Sequence, residues 1–131
     1  LVINRKRPAQ RLRAGPGRGY PVEWVFLRRA LPIEITAEYG QWRKIRDFDG
    51  SEGWVHKNLL TGRRSVLVTG AVRTLRHDPA LDSEPLARAE AGVIGWLLVC
   101  EDGWCKIETA GHQGWLPISN LWGAYDGEVV E

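Results

Sequence analysis

Along the chain, apolar and polar residues alternate in short runs and show little helical spacing. Pro21–Arg29 (PVEWVFLRR), Pro32–Tyr39 (PIEITAEY), Trp42–Asp47 (WRKIRD) and Glu52–His56 (EGWVH) are rich in β-branched and aromatic residues, and each predicts a strand. The separators Gly40-Gln41 and Asp49-Gly50-Ser51 carry turn chemistry, and Pro21 and Pro32 stand at strand starts, where a missing amide donor is tolerated. Later in the chain come Val93–Cys100, the turn Glu101-Asp102-Gly103, Trp104–Glu108 and Gln113–Leu116, with the same alternation. Asp82–Gly92 has the composition of a short helix, but it aligns with the earlier run Pro21–Arg29, so a strand is expected there as well.

The two halves are copies of one another. Leu12-Arg13 with Pro16 returns as Leu75-Arg76 with Pro79, and Gly40–Leu59 returns as Asp102–Leu121. Trp42 pairs with Trp104, Lys44 with Lys106, Ile45 with Ile107, Gly53-Trp54 with Gly114-Trp115 and Asn58-Leu59 with Asn120-Leu121. The offset stays between 61 and 63 residues, so the chain reads as two homologous units of about 60 residues. Four or five short strands in such a length close most economically as a small barrel. The expected fold class is all-β, two tandem small barrels packed against each other. The expected division is a flexible basic lead-in at 1–9, barrels at 10–64 and 70–125, a strand-like connection Arg64–Thr69 between them, and a C-terminal extension to 131.

Charge divides along the same line. Residues 1–70 hold 14 Lys and Arg against 6 Asp and Glu, a balance of +8, whereas residues 71–131 hold 4 against 10, a balance of −6; the two sum to the net +2 of the chain. Such a split would steer an anionic partner to the first half, hold the halves together, or stack copies head to tail. No run approaches the roughly 20 apolar residues of a membrane helix. Leu1–Asn4 is too short for a signal-peptide core and is followed by Arg5-Lys6-Arg7, which reads as a mature or trimmed chain.

The order of these motifs resembles the bacterial SH3-like domain. Leu12-Arg13-Ala14-Gly15-Pro16 is similar to its opening signature, Gly53-Trp54-Val55 to its penultimate strand and Asn58-Leu59 to its terminal turn. Leu75-Arg76, Pro79, Gly114-Trp115-Leu116 and Asn120-Leu121 repeat them, with His77-Asp78 departing from the usual pair. The resemblance therefore carries ligand binding to the first copy more firmly than to the second. It covers roughly Gln10–Gly62 and Val72–Gly123. It implies two SH3-like barrels of a periplasmic or extracellular module, associated with the cell envelope and serving to bind or target.

Seven Trp in 131 residues invite a binding reading. If Ile45 fills the barrel, a period of two turns Trp42 outward with Lys44 and Arg46, and Trp104 with Lys106 repeats the arrangement. Tyr20, Trp24 and Tyr39 would extend this into an aromatic groove for a cell-wall peptide or glycan, or for an envelope protein. The same rings would equally cover the rims of two small cores or bury themselves between the two barrels, the structural reading favoured for Trp54 and Trp115. Cys100 and Cys105 flank a four-residue turn at the ends of facing strands, where a disulfide is expected; reduced structural thiols are the alternative. A metal or cofactor is not expected, because His56, His77 and His112 are scattered and no phosphate-binding loop occurs. Nor is an enzyme, since the repeats occupy the chain. Arg5, Lys6, Arg7, Arg11, Arg13 and Arg18 form a basic run of the kind that contacts nucleic acid, but the acidic second half argues against it. A solvated lead-in accounts for the run most simply. The oligomeric state is left open.

Overall fold

A computed structural model describes residues 2–3, 10–19, 22–25 and 30–131, with 2–3, 10–12 and 22–25 described as strand backbone. The chain divides into two compact units, Leu1–Arg63 and Arg64–Glu131. Both are antiparallel β, and no α-helix occurs among the described residues.

The first unit contains β1 (Val2–Ile3), β2 (Gln10–Arg13), β3 (Val22–Val25), β4 (Glu34–Tyr39), β5 (Trp42–Arg46), β6 (Glu52–His56), a 3-10 turn at Lys57–Leu59 and β7 (Leu60–Thr61). Its main sheet has the order β3-β2-β6-β5-β4, and β1 pairs with β7. The second unit contains β8 (Ser65–Val68), β9 (Arg73–Arg76), β10 (Pro85–Ala89), β11 (Ile94–Glu101), β12 (Trp104–Thr109), β13 (His112–Pro117), a 3-10 turn at Ile118–Asn120 and β14 (Leu121–Trp122). Its seven strands run β10-β9-β13-β12-β11-β8-β14. The segment with helix-like composition is therefore the strand β10, as the alignment of the repeats predicts.

The repeat reaches further than the matched motifs. β8 precedes the second Leu-Arg motif and pairs Val68 with Leu121 and Leu67 with Trp122, as β1 pairs Ile3 with Leu60 and Val2 with Thr61. Arg64–Thr69, read from the sequence as a connection, thus supplies the first strand of the second unit. All four β8 residues are buried and lie between β11 and β14. The strand itself was expected, but a run buried on both faces shows no polar beat to say which unit it joins. Residues 4–9 of the basic lead-in lie outside the described residues.

Strand alternation builds both cores. Ile45 and Val55 are each 1% exposed in the first unit, beside buried Ala30, Leu31 and Ile33. In the second, Val66, Val68, Leu75, Leu97, Cys100, Cys105, Ile107 and Leu116 form one cluster. The buried glycine of the Gly-Trp motif has a packing reason in the second unit: a Cβ on Gly114 would lie 2.6 Å from the Leu75 Cβ, so β13 and β9 approach closely only with glycine there. The β11–β12 hairpin turns on Asp102 and Gly103, both at positive φ, the twist that suits a two-residue connection.

Candidate functional site

On β5, buried Ile45 sets the inward face, and the period of two puts Trp42, Lys44 and Arg46 on the outward face. Across the strands, Trp42 stands opposite Tyr39 of β4 and His56 of β6. Trp42 meets His56 edge to face, with centroids 5.5 Å apart and planes at 76°. His56 is held from behind, its Nδ1 accepting the Asn58 N–H at 3.2 Å at the start of the 3-10 turn. Tyr39 is 67% exposed. Three rings from three adjacent strands thus lie in one cross-strand row, and His56 is the member that sequence reasoning did not single out. Its signal was the 61-residue offset to Pro117, a position where the copies differ in chemistry.

The cations beside this row have partners. Lys44 Nζ lies 3.8 Å from Glu52, and Arg46 pairs with Glu34. These pairs are partly exposed and contribute little stability, but they neutralise the charges that Trp42 was expected to share. Tyr20 lies outside the described residues. Trp24 is placed by its backbone on β3 opposite Arg11, and two strands, β2 and β6, separate β3 from β5 in the sheet.

Trp54, read from sequence as a structural ring at the rim of the core, is half-buried on the outward face, because Gly53 and Val55 take the inward positions of β6. It stands across from Lys44 on one side and Arg13 on the other. The second unit repeats this row as Lys106, Trp115 and Arg76. Both arginines serve the loop that follows their strand: Arg13 Nη1 donates to the Arg18 carbonyl at 3.1 Å, and Arg76 Nη1 to the Ser83 carbonyl at 2.9 Å. The arginine of the Leu-Arg motif is thereby explained as a loop tie.

The outward face of the second unit differs where the ring row stands. Trp104 faces Glu101 and Pro117, so neither neighbour is aromatic. Gln113 occupies the position of Glu52 and donates to Glu108, which leaves Lys106 without an ion pair among the described residues. At the hairpin end, Glu38 and Arg43 of the first unit share the register position of Cys100 and Cys105 in the second. Arg43 Nε lies 3.3 Å from Glu38, and its Nη1 donates to the carbonyls of Gly40 and Trp42. Cys100 and Cys105 are joined by a disulfide and fully buried.

The C-terminal extension folds onto the second unit. Val130 forms an antiparallel bridge to Cys100, and Arg64 grips Glu128 with two bonds of 2.7 and 3.0 Å while donating to the Gly123 carbonyl. The Arg64 hydrogen bond, helped by the Tyr125 N–H, holds the Glu128 carboxyl below its ordinary range against the opposing effect of burial. The same bond raises Arg64.

Two tandem β units, each with a Leu-Arg loop tie and an inward-Gly, outward-Trp strand, meet the family comparison here: a model of the bacterial SH3 domain matches residues 6–62 and again 71–123. The chain belongs to the bacterial SH3 domain family, in two copies. No curated protein matches it closely enough to count as a relative. Each bacterial SH3 domain is a binding module, and no helix among the described residues is long and apolar enough to cross a membrane.

Proposed function

We propose that the first bacterial SH3 domain is the ligand-binding copy of a non-catalytic module of the cell envelope, periplasmic or extracellular. It takes a wall peptide or glycan strand across the rings of Tyr39, Trp42 and His56. The single observation that carries the reading is that three-ring row, outward, with Tyr39 mostly exposed and present in the first copy only. Rings offered flat or edge-on to solvent bury apolar area against sugar faces or peptide side chains and still hydrogen-bond through their polar tips. The second domain keeps Trp104 and Lys106 without the flanking rings, which fits a supporting or differently selective copy.

Co-sedimentation with purified peptidoglycan at low and physiological salt tests this. Wild type is expected to pellet at both salts and Trp42→Ala to stay in solution; no pelleting of wild type would refute wall binding. The charge split of +8 against −6 favours a second reading, an assembly module that organises self-association or an envelope partner. That reading requires association that weakens with salt in a sedimentation-velocity series, and a monomer at all concentrations counts against it.

A further inference from the structure

We propose that the outer edge of β4 in the first domain accepts an extended peptide as an added antiparallel strand, with a basic side chain of that peptide set against Glu38. The inference rests on the edge alone and stands whether or not the rings of Tyr39, Trp42 and His56 hold a ligand.

The second domain shows the same edge occupied. Cys100 donates its N–H to the Val130 carbonyl at 2.8 Å and accepts the Val130 N–H at 2.9 Å. Both main-chain groups of Cys100 therefore point away from β12. Glu38 holds the equivalent place in β4: one residue before the hairpin, opposite Arg43, and downstream of a bulge between Ile35 and Ala37 that matches the one between Leu97 and Val99. Hydrogen-bonded and non-hydrogen-bonded pairs alternate back from the Tyr39–Trp42 pair that closes the turn, so the N–H and C=O of Glu38 also point outward. β4 ends its sheet, and no strand among the described residues pairs with its outer side. Among the described residues, nothing follows β7 in the first domain as Val130 follows β14 in the second, since β7 ends at Thr61 and the second unit begins at Arg64.

Outward-pointing main-chain groups at a sheet edge, as at Glu38, are a template for another strand. The chemistry of the occupant follows from the side chains at the pairing site. In the second domain the residue opposite Cys100 is Val130, packed on an apolar core. In the first, that place is bordered by the Glu38 carboxylate, whose side chain is 64% exposed and whose contact with Arg43 is 3.3 Å. A lysine or arginine there gains a carboxylate, whereas an aliphatic residue meets a polar pair. The residues on either side of it would lie on the outward face, beside Tyr39.

The test measures amide hydrogen exchange in the full chain by NMR, with a synthetic peptide of residues 126–131 carrying Val130→Lys as the probe. The Glu38 amide is expected to exchange freely in the protein alone and to slow about tenfold at a peptide concentration roughly ten times the dissociation constant. Glu38→Pro removes the outward donor without touching the β4–β5 ladder and is expected to abolish binding. Glu38→Ala keeps the donor and is expected to lose only the preference for the lysine peptide over the unsubstituted one. Protection of the Glu38 amide in the free protein, no slowing with either peptide, or undiminished binding by Glu38→Pro would overturn the proposal. Should Glu38→Pro fail to fold, exchange in wild type decides alone.

Discussion

Cys100 and Cys105 face each other across β11 and β12 with their Cα atoms 4.1 Å apart, at the position where the first domain sets Glu38 against Arg43. The site suits a covalent link because Cys100 spends its main-chain hydrogen bonds on Val130, and non-hydrogen-bonded pairs are the closer ones in an antiparallel ladder. The first domain fastens the same hairpin with an ion pair and two bonds from Arg43 to turn carbonyls.

The two fastenings differ in their response to conditions. Cys100→Ala with Cys105→Ala is expected to destabilise the second domain by about 2 kcal/mol from loop closure, because the closed loop is short. The first domain is expected to keep its stability. Denaturant unfolding followed by NMR signals from each domain separates the two. Equal loss in both domains would contradict this, as would no loss in either.

Glu128 gives a pH dependence with a definite sign. Its folded pKa lies below its unfolded one, chiefly through the Arg64 hydrogen bond. The stability it contributes is therefore fully present above the ordinary glutamate range and is lost as pH falls through the folded value. Glu128→Gln is expected to lower the stability of the second domain by about 1–2 kcal/mol at neutral pH. The gap to wild type should close as the solution is acidified. A gap that stays constant down to low pH would assign the loss to something other than carboxylate ionisation.

Much of this architecture was legible because hairpins and repeats are local statements. The run of Trp104 to Ile107 announces an alternating strand, and Asp102-Gly103 announces its turn. Where the reading stopped, tertiary pairing decides. β8 is legible as a strand, yet only its bonds to β11 and β14 assign it to the second domain. Trp54 was expected to serve structure, but which face of β6 it takes is set by the inward positions that Gly53 and Val55 occupy. The ring row depends on which residues of β4, β5 and β6 stand level, and register across strands is not written within any one of them.

Gly114 marks a tight approach of β13 to β9. Besides the Leu75 Cβ at 2.6 Å, an added Cβ would meet the Leu75 carbonyl carbon at 3.2 Å and the Arg76 nitrogen at 3.3 Å. Leu75 is 1% exposed and has nowhere to move. Gly114→Ala is accordingly expected to destabilise the second domain by about 1–3 kcal/mol through overpacking. Thermal unfolding measures it, and a melting temperature equal to wild type would show that β13 and β9 can separate at little cost.

Tyr39 and Trp42 separate binding from packing. Tyr39 is mostly exposed, so Tyr39→Ala is expected to change stability by no more than about 0.5 kcal/mol. Trp42 is half-buried against His56, and Trp42→Ala should cost more. If the row is a binding face, Tyr39→Ala still weakens peptidoglycan binding, by roughly 5–30-fold for a loss of about 1–2 kcal/mol. Trp104→Ala, which alters a ring flanked by Glu101 and Pro117, is expected to leave that binding unchanged. Affinities from a depletion assay, read beside melting temperatures, decide the matter. Binding lost only in proportion to stability would make the rings structural, whereas binding lost in Tyr39→Ala at wild-type stability locates the ligand on the first domain.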